Sequence, residues 1–339
     1  MHAAAVYMFN IIRRVRACVR ACVRAVTGRF PNLAIVSGSV EIFNCHSLAS
    51  LAGAFPSLRR CRAVVLNQLL ALVSLGDAFR ALRHVDDVVA VRSCRRLDSL
   101  GTSFAQLLTA NEIELNNNYY LRTFGTAFGT LENVTQALGL YGTTGRPSDA
   151  PSLTISGAFP SLRRAGRIQF LPEFGRASQM RIFRSFARLE IITGGATDCG
   201  DTNANMYGLR ISGGRSGGYT GTTSVTESFA ALERVLGGVW LQGRALSDLT
   251  GSFTVLRTVE GVFRVMENPE LNGFDGSFAG VANVTCQVDV YGNGRGSFDS
   301  ASALPSLVCG FINHRVTTPI QLPVQFATSG VLRAELQRC

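Results

Sequence analysis

Apolar residues recur along this chain in a fixed phase, and one stretch shows the repeating unit twice. Leu246, Leu249, Gly251, Phe253 and Leu256 are matched 25 residues later by Leu271, Phe274, Gly276, Phe278 and Val281. Between them runs the alternating triplet Phe263-Arg264-Val265, followed by Asn268. A unit this short cannot bury its own apolar face, so it is stable only when stacked on copies of itself.

With Phe253 and Phe278 as phase markers, the same position is held by Phe30, Phe55, Phe79, Phe104, Phe128, Phe159, Phe186, Phe229 and, as a leucine, Leu304. The intervals are 25, 24, 25, 24, 31, 27, 43, 24, 25 and 26 residues. An apolar residue follows three positions after each marker, from Leu33 and Leu58 to Val281 and Leu307. The regular intervals fall within the leucine-rich-repeat range. The pattern predicts a mainly β fold: a parallel β-solenoid of about eleven coils of 24–25 residues, with short helical or irregular return segments.

The strand triplets Val40-Glu41-Ile42, Val64-Val65-Leu66, Val89-Ala90-Val91 and Ile113-Glu114-Leu115 alternate with period two. Their outer residues are expected to point inward and the middle one outward. Gly53, Gly76, Gly101, Gly125, Gly251 and Gly276 precede markers by two or three residues. A glycine there suits a corner with positive φ or close backbone approach. Cys45 and Cys94 share the phase of Asn118 and Asn268, and Cys61 that of Val85 and Ala110, so these three read as packing residues.

The solenoid is expected to run over residues 28–310, with loop insertions at 142–156 and 193–226. The first insertion carries two Pro; the second has nine Gly and ten Ser or Thr in 34 residues, and only Leu209-Arg210-Ile211 in it looks like a strand. Residues 1–27, which contain the four-residue repeat VRACVRACVRA, are expected to lie outside the coils as a basic, non-repeat segment, either disordered or upstream of the true start. Residues 311–339 are expected to form an irregular C-terminal cap.

The formal charge of +10 invites a nucleic-acid reading, but its distribution removes it. Six Arg and no acid lie in residues 1–30, leaving 27 Arg against 23 Asp and Glu in the rest. A phosphate-binding surface concentrates cations on one face, and no such excess runs through the repeats, so no nucleic-acid partner is expected. No run approaches the roughly 18 apolar residues of a membrane span, so no transmembrane segment is expected. Nine Cys without an even spacing do not predict a disulfide framework, and pairing among Cys199, Cys286, Cys309 and Cys339 stays open.

Chemistry-bearing motifs are sparse. None of His2, His46, His84 and His314 stands at metal-ligand spacing from another. His84 with Asp86 and Asp87 reads as a solvated turn rather than a base with its orienter. Asp201-Thr202-Asn203-Ala204-Asn205 opens like a calcium loop, but Met206 stands where the turn glycine belongs and Ser212 where the bidentate Glu belongs. Gly213-Gly214-Arg215-Ser216-Gly217-Gly218 lacks the Lys and following helix of a phosphate cradle. No cofactor, metal or enzymatic activity is expected.

Val259, Gly261, Phe263, Val265, Asn268 and Leu271 follow the order V-x-G, strand, N-x-x-L. Ile113, Leu115, Asn118 and Leu121 fit the same frame, as do Val288, Val290 and Asn293. In this the chain resembles the receptor L-domain branch of the leucine-rich-repeat family. The resemblance implies a non-enzymatic binding or adhesion module, extracellular or at the cell surface although no signal peptide is evident, with a protein or glycan ligand. An intracellular leucine-rich-repeat scaffold is the alternative, and a carbohydrate-active enzyme on a β-solenoid a distant third.

A solenoid of this kind binds on its exposed strand face. The candidate face is Glu41, Phe43, Val65, Asn67, Arg92, Glu114, Asn116, Tyr141, Gln169, Arg210, Trp240, Gln242, Arg264, Met266, Asp289 and Tyr291. Phe43, Tyr141, Trp240 and Tyr291 are its aromatic anchors, although a one-residue shift would turn Trp240 inward and bring out Val239 and Leu241. Asn133-Val-Thr and Asn283-Val-Thr are glycosylation sequons at one shared phase.

Overall fold

A computed structural model of the chain describes residues 15–17, 30–142, 152–171, 180–195, 207–212, 223–243, 246–273 and 276–294. In chain order its strands begin with β1 (Val15–Ala17), β2 (Ile35–Phe43), β3 (Arg60–Asn67), β4 (His84–Arg92), β5 (Thr109–Asn116) and β6 (Asn133–Tyr141). There follow β7 (Leu153–Ser156), β8 (Arg164–Leu171), β9 (Met180–Phe183), β10 (Ile191–Ile192), β11 (Tyr207–Ser212), β12 (Thr223–Thr226) and β13 (Arg234–Leu236). The last are β14 (Gly238–Gln242), β15 (Leu246–Asp248), β16 (Thr258–Glu260), β17 (Phe263–Met266), β18 (Asn283–Val284) and β19 (Val288–Tyr291).

The main sheet has fifteen strands, and its longest path is β1-β2-β3-β4-β5-β6-β8-β10-β13-β16-β18. All its pairs are parallel, so each coil lays its strand beside that of the previous coil, as a β-solenoid does. A second, four-stranded sheet, β15-β12-β9-β7, lines another side. Single bridges extend that ladder through Ser50, Ser74, Ser99, Thr123 and Thr154 at one end and from Asp248 to Gly273 at the other. No helix occurs among the described residues; the return segments are turns.

Why these residues form coils is visible inside them. The first and third members of each triplet point inward: Val40, Val64, Val89, Ile113 and Ile168 are fully buried register partners of their neighbours or one coil removed from them. Ten Phe rings, from Phe30 to Phe278, stack in one unbroken column at centroid separations of 4.7–5.8 Å, tilted by no more than 13°. Those separations match the spacing of paired strands, about 4.8 Å.

The corners need unusual backbone. Gly53, Gly76, Gly101, Gly125, Gly251 and Gly276 all have φ between 59° and 71°. Gly101 also meets the second demand, since a Cβ there would lie 2.5 Å from the carbonyl oxygen of Gly76 in the previous coil. At the other end of the strand the left-handed position falls on Asn44, Gln68, Ser93, Asn117 and Glu267, each at 55–56°. The next residue turns inward. At Asn118 the amide serves two backbone groups: Oδ1 accepts from Cys94 N at 3.0 Å, and Nδ2 donates to Val91 O at 2.8 Å, whereas Asn268 Nδ2 donates to Leu241 O and to Asn293 Oδ1. Asn293 repeats the Asn118 pattern toward Asn268 N and Val265 O. A parallel ladder of buried Ser precedes the later Phe markers, with Ser228 Oγ accepting from Ser185 N and Ser252 Oγ from Ser228 N.

Cys45, Cys61 and Cys94 are free and buried, as expected of packing residues. Burial pushes the Cys61 and Cys94 thiols up to about 12. Cys286 is disulfide-bonded, so one bridge does form; its partner lies outside the described residues.

Three expectations change. Val15–Ala17 belong to the sheet, pairing with Val40, Glu41 and Ile42 at the 25-residue period, because a bare edge strand offers them a ladder. The insertions hold more strand than expected: 142–156 contains β7, and 193–226 contains β12 as well as β11, the strand expected at Leu209-Arg210-Ile211. Both supply strands that a coil requires, and Thr223 sits between Met180 and Leu246 in the small sheet. The 43-residue interval is therefore one coil, and Phe186 and Phe229 stack across it at 4.7 Å. Finally, the helical option for the return segments gives way to turns. Leu304, Leu307 and the cap at 311–339 lie outside the described residues.

Two measurements test this packing. Phe253→Ala is expected to cost about 3–5 kcal/mol in equilibrium unfolding, against under about 0.5 kcal/mol for the exposed Val255→Ala. Asn118→Ala strands two buried backbone groups and is expected to cost about 1–3 kcal/mol; a loss below that range would mean that water replaces the amide.

Candidate ligand face

The register assembles the predicted face in two rows. Glu41, Val65, Ala90, Glu114, Gly139, Gln169, Arg210, Trp240, Arg264 and Asp289 are consecutive strand partners. Two residues further along each strand lie Phe43, Asn67, Arg92, Asn116, Tyr141 and Leu171, then Ser212, Gln242, Met266 and Tyr291. All the predicted positions fall in these rows, because residues two apart share one side of a strand. The phase of Trp240 is settled: Val239 and Leu241 are fully buried in the core, and Trp240 is on the outer side.

Outer does not mean open. Trp240 keeps only 9% of its surface, Gln169 7%, and Arg210 and Asp289 8% each. The Tyr207 ring lies edge-on to Trp240 at 4.6 Å. The guanidinium carbons of Arg210 and Arg264 sit 4.4 and 5.9 Å from the centre of the indole ring, in cation–π contact. Arg264 Nε donates to Asp289 Oδ2 at 2.7 Å, and Arg264 Nη1 to the Tyr207 hydroxyl at 2.8 Å. Trp240 Nε1 donates to Gln242 Oε1 at 2.8 Å, and Gln242 Nε2 to Glu267 Oε2 at 2.6 Å. With Val262 and Cys286, Trp240 and Tyr207 form a small second apolar cluster, against which Met266 rests. Burial raises the Tyr207 phenol, and Arg264 opposes the shift. This end of the face is a closed aromatic–arginine layer.

The other end is half-buried and polar. Arg92 pairs with Glu114 across neighbouring strands, and Asn116 Nδ2 donates to Glu114 Oε1 at 3.4 Å. The Tyr141 hydroxyl donates to Gln169 Oε1 at 2.8 Å. Its ring reaches there by lying over Gly139, where any Cβ would overlap it. Glu112 joins the zone from the bulge, in register with Ala137 and Arg167. Burial, then the neighbouring Glu114, hold its carboxyl above the usual range; Arg167 and Arg92 pull the other way, and Asp87 adds to the rise. Asn67 lies half-buried in this zone.

The remaining sequence candidates disperse. His84 Nδ1 meets Thr109 Oγ1 at 3.0 Å, while Asp86 pairs with Arg60 and Asp87 with Arg62. No group of three or more His, Cys, Asp or Glu among the described residues is placed to hold a metal ion. The Asp201–Asn205 and Gly213–Gly218 motifs lie outside the described residues. The arginines join coil to coil: Arg122 to Asp98, Arg163 to Glu190, Arg184 to Glu227 and Arg234 to Glu260 repeat the Arg60–Asp86 arrangement. Asn133 and Asn283 open β6 and β18, half-buried and exposed respectively. No helix among the described residues is long and apolar enough to cross a membrane.

One feature escaped the sequence reading. A cavity of about 530 Å³ lies where the chain leaves the main strand for the second ladder, lined by Val73, Arg95, Arg96, Asp98, Tyr119, Tyr120 and Arg122. Aligning residues by coil phase would have found it: Arg95-Arg96 and Tyr119-Tyr120 follow Cys94 and Asn118 at matching positions 24 residues apart.

The Glu112 environment yields a pH test. A carboxyl raised in the folded state binds more protons than in the unfolded chain, so stability falls as pH rises through that window and the penalty is complete above it. Glu112→Gln is therefore expected to stabilise the protein at neutral pH, with the gain disappearing below the ordinary carboxylate range. Urea unfolding of both proteins at about pH 7 and about pH 3.5 measures it; an equal gain at both would assign the effect to packing.

Comparison with protein-family models, with curated proteins and with solved structures gave no match to this chain.

Proposed function

We propose that the chain is a non-enzymatic binding or adhesion module, of the receptor L-domain-like leucine-rich-repeat kind, that takes a protein or glycan ligand on the outer face of its main sheet. The observation that carries this reading is the pair of in-register rows. Side chains from successive coils stand on one continuous face, pre-organised by ion pairs and hydrogen bonds to their neighbours, which lowers the ordering cost of binding. The half-buried end around Asn67, Arg92, Glu114, Asn116 and Tyr141 is the contact zone. The layer around Trp240 stiffens the face, since its aromatic surface is already covered by Tyr207, Arg210 and Arg264.

An extracellular or cell-surface setting is supported by the disulfide at Cys286, because such bonds persist in oxidising compartments. The sequons at Asn133 and Asn283 open their strands, ahead of the bulge, so glycans there leave the two rows uncovered.

Secretion from a eukaryotic host behind a heterologous signal peptide tests both parts. The product is expected to lose mass at Asn133 and Asn283 on enzymatic deglycosylation. On arrays of secreted proteins and glycans it is expected to retain a ligand that Asn67→Arg/Asn116→Arg loses. A folded but unmodified product favours the intracellular scaffold, and a ligand held equally by the double variant moves binding off this face.

A further inference from the structure

We propose that the cavity beside Arg95 and Tyr119 is a second binding site, specific for an acidic saccharide: a pyranose carrying a carboxylate or a sulfate. It lies past the strand-end corner, away from the two rows, and its success or failure is independent of the reading above. Three observations carry it. The first is unspent positive charge. On this stretch of the solenoid Arg60, Arg62 and Arg122 pair with acids of a neighbouring coil, Asp86, Asp87 and Asp98. Arg95 and Arg96 are in no ion pair among the described residues; Arg95 instead lies over the Tyr119 ring, 5.8 Å from its centre. The one acid of the cavity, Asp98, accepts from Arg122 at 2.9 Å and is neutralised.

The second observation is apolar surface. Tyr119 and Tyr120 are half-buried in the cavity wall, and Val73 is 43% exposed beside them. A ring face next to a guanidinium matches a pyranose, whose C–H face stacks on the ring while its anionic substituent takes the charge-assisted hydrogen bonds of the arginine. The volume of about 530 Å³ lies in the usual range for a ligand site.

The third observation separates a saccharide from an acidic peptide. An extended peptide docks by pairing with free backbone groups along one edge, and the backbone of Val73, Asp98 and Arg122 beside the cavity is spent. Val73 N donates to Ala49 O, Asp98 N to Val73 O, Arg122 N to Asp98 O and Thr154 N to Arg122 O, all within the coil-to-coil ladder. Recognition is left to rings, hydroxyls and guanidinium groups.

The experiment titrates the full chain by calorimetry with four probes: a heparin hexasaccharide, a hyaluronan hexasaccharide, maltohexaose and hexaglutamate. At least one acidic hexasaccharide is expected to bind, sulfated or carboxylated as the site prefers, and maltohexaose is not. Arg95→Ser/Arg96→Ser is expected to weaken that binding by about tenfold or more, the scale of losing charge-assisted contacts. Arg188→Ser/Arg257→Ser removes the same charge from exposed positions elsewhere and is expected to leave it unchanged. Tyr119→Leu/Tyr120→Leu, which keeps the charge, is also expected to weaken it. Equal losses in the two arginine variants, or full affinity in the tyrosine variant, would reduce the effect to net charge and overturn the site. Binding of neither acidic hexasaccharide, or binding of hexaglutamate alone, would overturn the saccharide class.

Discussion

Stacking of one coil on the next, at the spacing of hydrogen-bonded strands, is the constraint on which the rest of this structure depends. Each coil offers an apolar interior that it cannot cover alone, and the neighbour covers it. Strand pairing imposes a repeat of about 4.8 Å, and the Phe column adopts it at 4.7–5.8 Å. The hydrogen-bond ladder and the aromatic column thus demand the same register, and a slip of one residue would break both.

The same constraint decides what happens to polar groups. A buried corner must satisfy its backbone, and the coil above supplies the partner: Asn118 reaches the Cys94 amide, and Ser228 reaches that of Ser185. On the surface, charges at equal phase lie one strand spacing apart, so opposite charges pair along the solenoid axis. These exposed pairs add little stability individually. Length added at a corner escapes the constraint altogether. The 43-residue interval leaves Phe186 and Phe229 as close as any neighbours in the column, because its extra residues lie between strands rather than within them.

The outer face shows how one sheet can hold two different surfaces. Around Trp240 the aromatic and cationic side chains cover one another and leave little surface to offer. Around Glu114 the groups are tethered but half-exposed. In the cavity past the corner, Arg95 and Arg96 escape the pairing that absorbs most other arginines.

The repeat period, the inward and outward sides of each strand, the corner glycines and the Asn phase were all legible in the chain. Each is a local consequence of period-two alternation or of a backbone angle that few residues tolerate. The outward residues of the face were legible for the same reason. Their accessibility was not: Trp240 is an aromatic on an outer row, and only the fold brings Tyr207, 33 residues earlier, across it. Val15–Ala17 likewise carry no repeat marker, and become a strand because β2 presents an unpaired edge. The cavity between Arg95 and Tyr119 also joins residues that sequence order separates. Periodicity specifies what a residue faces within its own coil; which neighbours cover it, and which charges remain over, is decided only when the coils are stacked.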